Sequence, residues 1–129
     1  MAYDHGAFRV RNLEESVKFY TEKLGFKVVS EYTAEQYSEK GLIMELDGAR
    51  LELIERTDEE YVPVPPERPY CPHLCFEVQD MEETLAMLKR NGIPVLDGPN
   101  LIPDSETWVY FTDPDLNVLE YIVWLDKQH

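Results

Sequence analysis

Two histidines and two glutamates in this chain share one spacing: 47 positions separate His5 from Glu52, and 47 separate His73 from Glu120. Imidazole and carboxylate together suit borderline divalent ions such as Zn, Ni, Co, Mn or Fe. Four such ligands leave places in an octahedral shell for water or substrate oxygens. An ion there polarises a carbonyl, and a carboxylate beside it moves a proton if the substrate lies within hydrogen-bond reach. Singly, none of the four is informative. A histidine near an N-terminus is usually a surface or satisfied polar group, and a glutamate in a strand is usually an edge residue facing water. The matched spacing is what points to one cation held by His5, Glu52, His73 and Glu120.

The spacing belongs to a duplication. HGAFRVRNLEESVKFYTEKLGF, from His5, aligns with HLCFEVQDMEETLAMLKRNGIPV, from His73, at an offset of 68. Phe8, Val10 and Glu14-Glu15 meet Phe76, Val78 and Glu82-Glu83. At the same offset LDGARLELI, from Leu46, meets PDLNVLEYI, from Pro114, so Glu52 falls on Glu120.

Each copy opens on the apolar alternation of a half-buried strand. A helix start follows, with Asn12 or Asp80 as cap, acidic residues in the first turn, and Gly25 or Gly92 as the stop. Further strands are expected at Lys27 to Tyr32, Leu42 to Leu46 and Arg50 to Arg56, with Asp47-Gly48 as a hairpin turn. Pro94 to Leu96, Thr107 to Thr112 and Asn117 to Trp124 serve the second copy. The expected class is α+β: two βαβββ modules, about 1–56 and 73–125, forming curved mixed sheets within one domain. The linker, 57–72, holds five of the nine prolines. In the last strands Glu120 should share a face with Val118 and Ile122, and Glu52 with Arg50 and Ile54. A glutamate on an apolar inner face is costly without a cationic partner.

Composition narrows the partners. The formal net charge is −14, with 26 acidic against 12 basic residues, a field that repels phosphate backbones and argues against nucleic acid. Local arginines still leave room for a small anionic substrate. Val118 to Leu125, among the longest apolar runs, is far too short for a bilayer and is broken by Glu120, so no membrane partner is expected. The N-terminal residues lack the pattern of a secretory signal, and the cytoplasm is the expected compartment. On one strand Cys71 and Cys75 would stand about 13 Å apart, beyond disulfide reach, and are expected as reduced thiols. Alternation would put Cys71, His73 and Cys75 on one face. C-x-H-x-C is not a usual zinc spacing, so the cysteines are expected to pack near the site rather than to ligate. His129 ends a polar tail.

With these residues in view, the chain resembles the vicinal oxygen chelate superfamily, and within it glyoxalase I (lactoylglutathione lyase). H-x-x-x-R-V-x-x-L-x-x-S-V-x-F-Y-x-x-x-L-G-F at His5 to Phe26 and D-P-D-L-N-V-L-E at Asp113 to Glu120 carry the resemblance over nearly the whole chain. It implies a metal-dependent carbon-sulfur lyase that converts a methylglyoxal-thiol hemithioacetal to an S-lactoyl thioester through an enediolate, a detoxification reaction. It further implies nickel, cobalt or zinc, and a homodimer whose interface joins His5 and Glu52 of one subunit to His73 and Glu120 of the other. Glu120 aligns with the residue that moves the proton, Glu52 is the opposing carboxylate, and Arg9 falls where the family grips the glutathione carboxylate.

The chain departs from that pattern after Glu52. Where the family commonly has an asparagine that binds glutathione, this chain has Glu55-Arg56, followed by the proline-rich linker. Arg56 and Arg68 are then candidates for another anionic group, such as a different thiol or a CoA phosphate. Other members of the superfamily set the alternatives: an epimerase resembling methylmalonyl-CoA epimerase, a ring-cleaving dioxygenase, or a non-catalytic resistance-type binding protein.

Overall fold

A computed structural model describes residues 1–126, so the expectation for His129 lies outside the described residues. The chain divides into two compact units, Met1–Val64 and Pro65–His129, and the division falls inside the proline-rich segment. Each unit is one four-stranded mixed sheet with a helix between its first two strands, the α+β arrangement expected from the duplication.

In the first unit β1 (Gly6–Arg9) leads to α1 (Leu13–Lys18), then β2 (Lys27–Ala34), β3 (Glu39–Leu46) and β4 (Ala49–Arg56). The sheet order is β1-β4-β3-β2, with β1 parallel to β4 and the rest antiparallel. The second unit repeats this as β5 (His73–Glu77), α2 (Met81–Arg90), β6 (Val95–Ile102), β7 (Glu106–Thr112) and β8 (Val118–Trp124), in the order β5-β8-β7-β6.

The helix starts follow the cap chemistry of the sequence. The side chains of Asn12 and Asp80 accept from the backbone N–H of Glu15 and Glu83, each at 3.0 Å, and satisfy donors that the first turn leaves without partners. We expect Asp80→Ala to cost about 1 kcal/mol of stability. Chemical denaturation of the purified protein measures this, and an unchanged midpoint would show the cap to be dispensable. Gly92 (φ 67°) and Gly25 (φ 84°) take the left-handed conformation where each helical segment ends. The first helix departs from expectation by running on into a π-helical turn, Phe19–Lys23. That turn seats Phe19 and Tyr20 in the core, Tyr20 edge-on to both Phe19 and Phe26.

Period-two alternation sorts the two faces of β4 in the first sheet. Leu42, Met44, Leu51 and Leu53 are 0 to 1 % exposed and form the core with Phe8 and Val10, while Glu52 takes the opposite face of β4. In the second unit Val109, Phe111 and Leu119 are fully buried, and Phe111 stacks on Tyr121 at 4.9 Å.

Three strand details differ from expectation. β2 and β3 are longer than the apolar runs that marked them, because polar residues Thr33, Glu39 and Lys40 continue the ladder. β6 continues from Val95 to Ile102 through Gly98-Pro99, where the pairing register shifts and the alternation that marks a strand is lost. Cys71 lies before β5 rather than on it, so the in-line geometry assumed for the two thiols does not apply; both are free and exposed rather than packed.

The Asp113-Pro-Asp-Leu-Asn117 motif proves to be the turn that aims β8. Asp113 Oδ1 accepts from the backbone N–H of Asp115 (2.8 Å) and Asn117 (2.9 Å), and Oδ2 from the Asn117 amide at 2.9 Å. Its carboxylate is thus satisfied although Asp113 is only 3 % exposed.

Candidate metal centre

Glu52 and Glu120 sit on β4 and β8, each of which has a neighbouring strand on both sides. This removes the edge-strand explanation for either glutamate. Glu52 stands opposite Ala7 on β1 and Ile43 on β3, and Glu120 opposite Cys75 on β5 and Tyr110 on β7. Glu120 is 8 % exposed.

Each glutamate meets the histidine of its own unit. His5 Nε2 is 3.2 Å from Glu52 Oε1, and His73 Nε2 is 2.9 Å from Glu120 Oε1. The far ring nitrogens explain how these pairs are set. His5 Nδ1 lies 2.7 Å from Asp4 Oδ2, and His73 Nδ1 lies 3.0 Å from the Tyr70 carbonyl oxygen. A carboxylate and a carbonyl can only accept, so their chemistry assigns the proton to Nδ1 in both rings. In the neutral imidazole the Nε2 lone pair then faces a carboxylate oxygen. Two acceptors at that distance cohere only through a shared proton or a cation. A ring that donates from one nitrogen to a carboxylate or backbone carbonyl while its other nitrogen is presented for coordination is the usual support of a metal-binding histidine. The donor set therefore fits a divalent ion.

The supporting residues were not singled out in the sequence. In the first unit Arg50 Nη1 reaches Asp4 Oδ1 at 3.5 Å, and the Tyr32 hydroxyl donates to Glu52 Oε2 at 2.7 Å. A polar chain Arg50–Asp4–His5–Glu52–Tyr32 results. Hydrogen bonding to Asp4, ahead of the Glu52 charge, raises the His5 pKa above the ordinary imidazole value, and the same bond together with Arg50 lowers that of Asp4. Burial, then the bond to Glu52, raises Tyr32, which keeps its hydroxyl a donor. Gly41 makes the approach possible: a Cβ there would stand 2.5 Å from the Tyr32 oxygen and 2.6 Å from the Leu53 carbonyl. That Asp4 adjoins His5 was visible in the sequence, whereas Tyr32 comes to Glu52 only through the register of three strands.

The second unit differs. Asn100, the counterpart of Tyr32, bonds Asp97 instead of the glutamate. Tyr110 lies edge-on to His73 with centroids 5.4 Å apart. Desolvation, and then the neighbouring Glu120 carboxylate, push the Cys75 thiol up to about 12.

The arginines expected at a substrate all hold acids. Arg9 bonds Glu59 at 2.9 Å and lies 4.3 Å from the Tyr61 ring centroid. Arg56 grips Asp58 in a two-pronged pair at 3.0 and 2.7 Å, and Arg68 pairs with Asp97. Among the described residues no group of three or more His, Cys, Asp or Glu side chains gathers as a metal site; each unit presents one His–Glu pair. Nor, among them, is any helix long and apolar enough to cross a membrane.

Comparison with known proteins identifies the family and the fold. Residues 2–121 match the Glyoxalase/Bleomycin resistance protein/Dioxygenase superfamily. The chain belongs to that superfamily. A glyoxalase family protein from Enterococcus faecalis superposes with a TM-score of 0.78 at 29% identity, over 94% of this chain and 96% of its own. The metallothiol transferase FosB of Staphylococcus haemolyticus is 29% identical over 91% of this chain and 79% of its own length. The lactoylglutathione lyase of Schizosaccharomyces pombe is also 29% identical, over 70% of this chain but only 37% of that protein. This glyoxalase-superfamily chain thus has both a lyase and a transferase among its relatives.

Proposed function

We propose that this protein is a metal-dependent lyase of the glyoxalase I type, acting on a hemithioacetal of methylglyoxal. In this reading two copies pair, so that His5 and Glu52 of one and His73 and Glu120 of the other surround a nickel, cobalt or zinc ion. The supporting observation is the pair of half-sites, each with its Nδ1 committed and its Nε2 turned onto a glutamate. A divalent ion held there supplies Lewis acidity to the substrate's vicinal oxygens.

The chain's own residues supply the rest. Glu120 takes the proton from the substrate carbon next to sulfur and returns it to the neighbouring carbon. Its seat between Tyr110 and Cys75 keeps that carboxylate shielded from bulk water. Glu52, bound by the Tyr32 hydroxyl, is held in place and acts as a ligand. Metal analysis of protein purified without chelator, followed by assays of thiol hemithioacetals with added nickel, cobalt or zinc, tests the proposal. Stoichiometric metal and thioester formation are expected; protein that neither retains nor takes up metal would overturn it.

Tyr32→Phe should weaken metal affinity about 10- to 100-fold, the usual effect of removing a group that orients a ligand. Titration calorimetry of the metal-free protein measures it, and unaltered affinity would mean that Tyr32 is not part of the centre. A second reading, a non-catalytic binding protein, draws on the acid partners already held by Arg9, Arg56 and Arg68. Metal-free protein that still binds a ligand tightly would favour it.

A further inference from the structure

Beside His73 the second unit holds a pocket of about 490 Å³ lined by Arg68, Pro69, Tyr70, Asn100, Trp108 and Tyr110. We infer that this pocket receives a planar, uncharged aromatic group of the substrate, so that the thiol partner is an aromatic or aryl-bearing thiol and not a charged peptide. The inference rests on the proposed lyase reading for the reaction, but its own basis is the pocket.

The volume falls in the range of small-molecule sites. Three of the six lining residues are aromatic. Tyr110 is flanked by Tyr70, with centroids 5.0 Å apart, and by His73, which leaves the half-buried Trp108 as the broad stacking surface. Offset or edge-on ring contacts favour a flat partner over an equally large puckered one. The polar groups at the wall are turned to one another. Asp97 takes Arg68 as ion partner, the Tyr70 hydroxyl at 3.1 Å and the Asn100 amide at 3.4 Å, so the guanidinium is neutralised at the rim and the carboxylate is satisfied. A ligand carboxylate entering here would meet the like charge of Asp97 beside the Arg68 guanidinium. The same holds in the first unit, where Arg9, Arg50 and Arg56 are paired with Glu59, Asp4 and Asp58.

The pocket also adjoins the chemistry. The Tyr70 carbonyl fixes the His73 ring, and Tyr110 stands opposite Glu120 across the ladder. An aryl group seated on Trp108 would therefore hang its sulfur toward the His73–Glu120 pair.

Calorimetric titration of the full chain with three thioethers tests this: 2-(benzylthio)ethanol, the equally large but non-planar 2-(cyclohexylmethylthio)ethanol, and S-methylglutathione. The benzyl compound should bind about fivefold or more tightly than the cyclohexyl compound, as ring contacts are generally worth. S-methylglutathione should bind no better than the cyclohexyl compound. Trp108→Leu and Tyr70→Ala, each confirmed as folded by circular dichroism, should weaken benzyl binding by a similar factor. If Trp108→Leu does not fold, Tyr70→Ala, in the loop before β5, decides. Equal affinities, tightest binding of S-methylglutathione, or indifference to Tyr70→Ala would overturn the inference. Failure of the lyase reading would show differently: no hemithioacetal turns over, yet the ranking of the thioethers stands.

Discussion

Glu120→Gln should lower kcat by about 10²- to 10⁴-fold while the protein still takes up one metal ion per site. That range is what a positioned general base contributes, and the amide keeps the size and a carbonyl ligand oxygen while losing the ability to carry the proton. The effect should appear in kcat more than in KM, because the proton moves only in the chemical step. Glu52→Gln offers the contrast. Its carboxylate is bound to Tyr32 and His5, so its loss should register first as weaker metal binding. Steady-state kinetics at saturating metal, with metal content measured on the same samples, separates the two. Full turnover by Glu120→Gln would place the base elsewhere.

Activity should return when two inactive variants are mixed. His5→Ala and His73→Ala each remove one imidazole from every centre, and each protein alone should be nearly inactive. If the centre is shared across a twofold dimer, a mixed dimer holds one doubly damaged centre and one intact centre. Random exchange makes about half the dimers mixed, so about a quarter of the centres should recover. A centre built within a single chain could not recover at all, because no chain in the mixture carries both histidines. Mixing after mild denaturation, followed by the hemithioacetal assay, reads this directly. No recovery despite verified subunit exchange would exclude the shared centre.

How far the sequence reaches can be judged from particular residues. The offset of 68 that pairs His5 with His73 also relates Leu13 to Met81 at the helix starts, and β2 to β6, strand for strand. Caps and stops are local, since Asn12 and Asp80 bond backbone groups only three residues away. Helices and turns that close over a few residues leave their cause in the sequence beside them. The π turn at Phe19–Lys23 left no such signal, because its register serves the burial of Phe19 and Tyr20 in the core. Gly98-Pro99 concealed the second half of β6 for the opposite reason: the strand runs through residues that usually end one.

The same division holds at the candidate centre. Its histidines and glutamates were legible because duplication repeats them at one spacing, and alternation grouped Glu120 with the buried Val118 and Ile122 on one face of β8. What surrounds them was not. Tyr32 reaches Glu52 because β2, β3 and β4 align across the sheet and Gly41 leaves the gap. The Tyr70 carbonyl reaches His73 because the chain before β5 folds back upon it. Hydrogen bonds between residues far apart in sequence depend on register and loop path, which no local pattern encodes. Residue type and period thus determined which groups are available for chemistry. Only tertiary packing decided which nitrogen each imidazole presents and which arginines are already bound to acids.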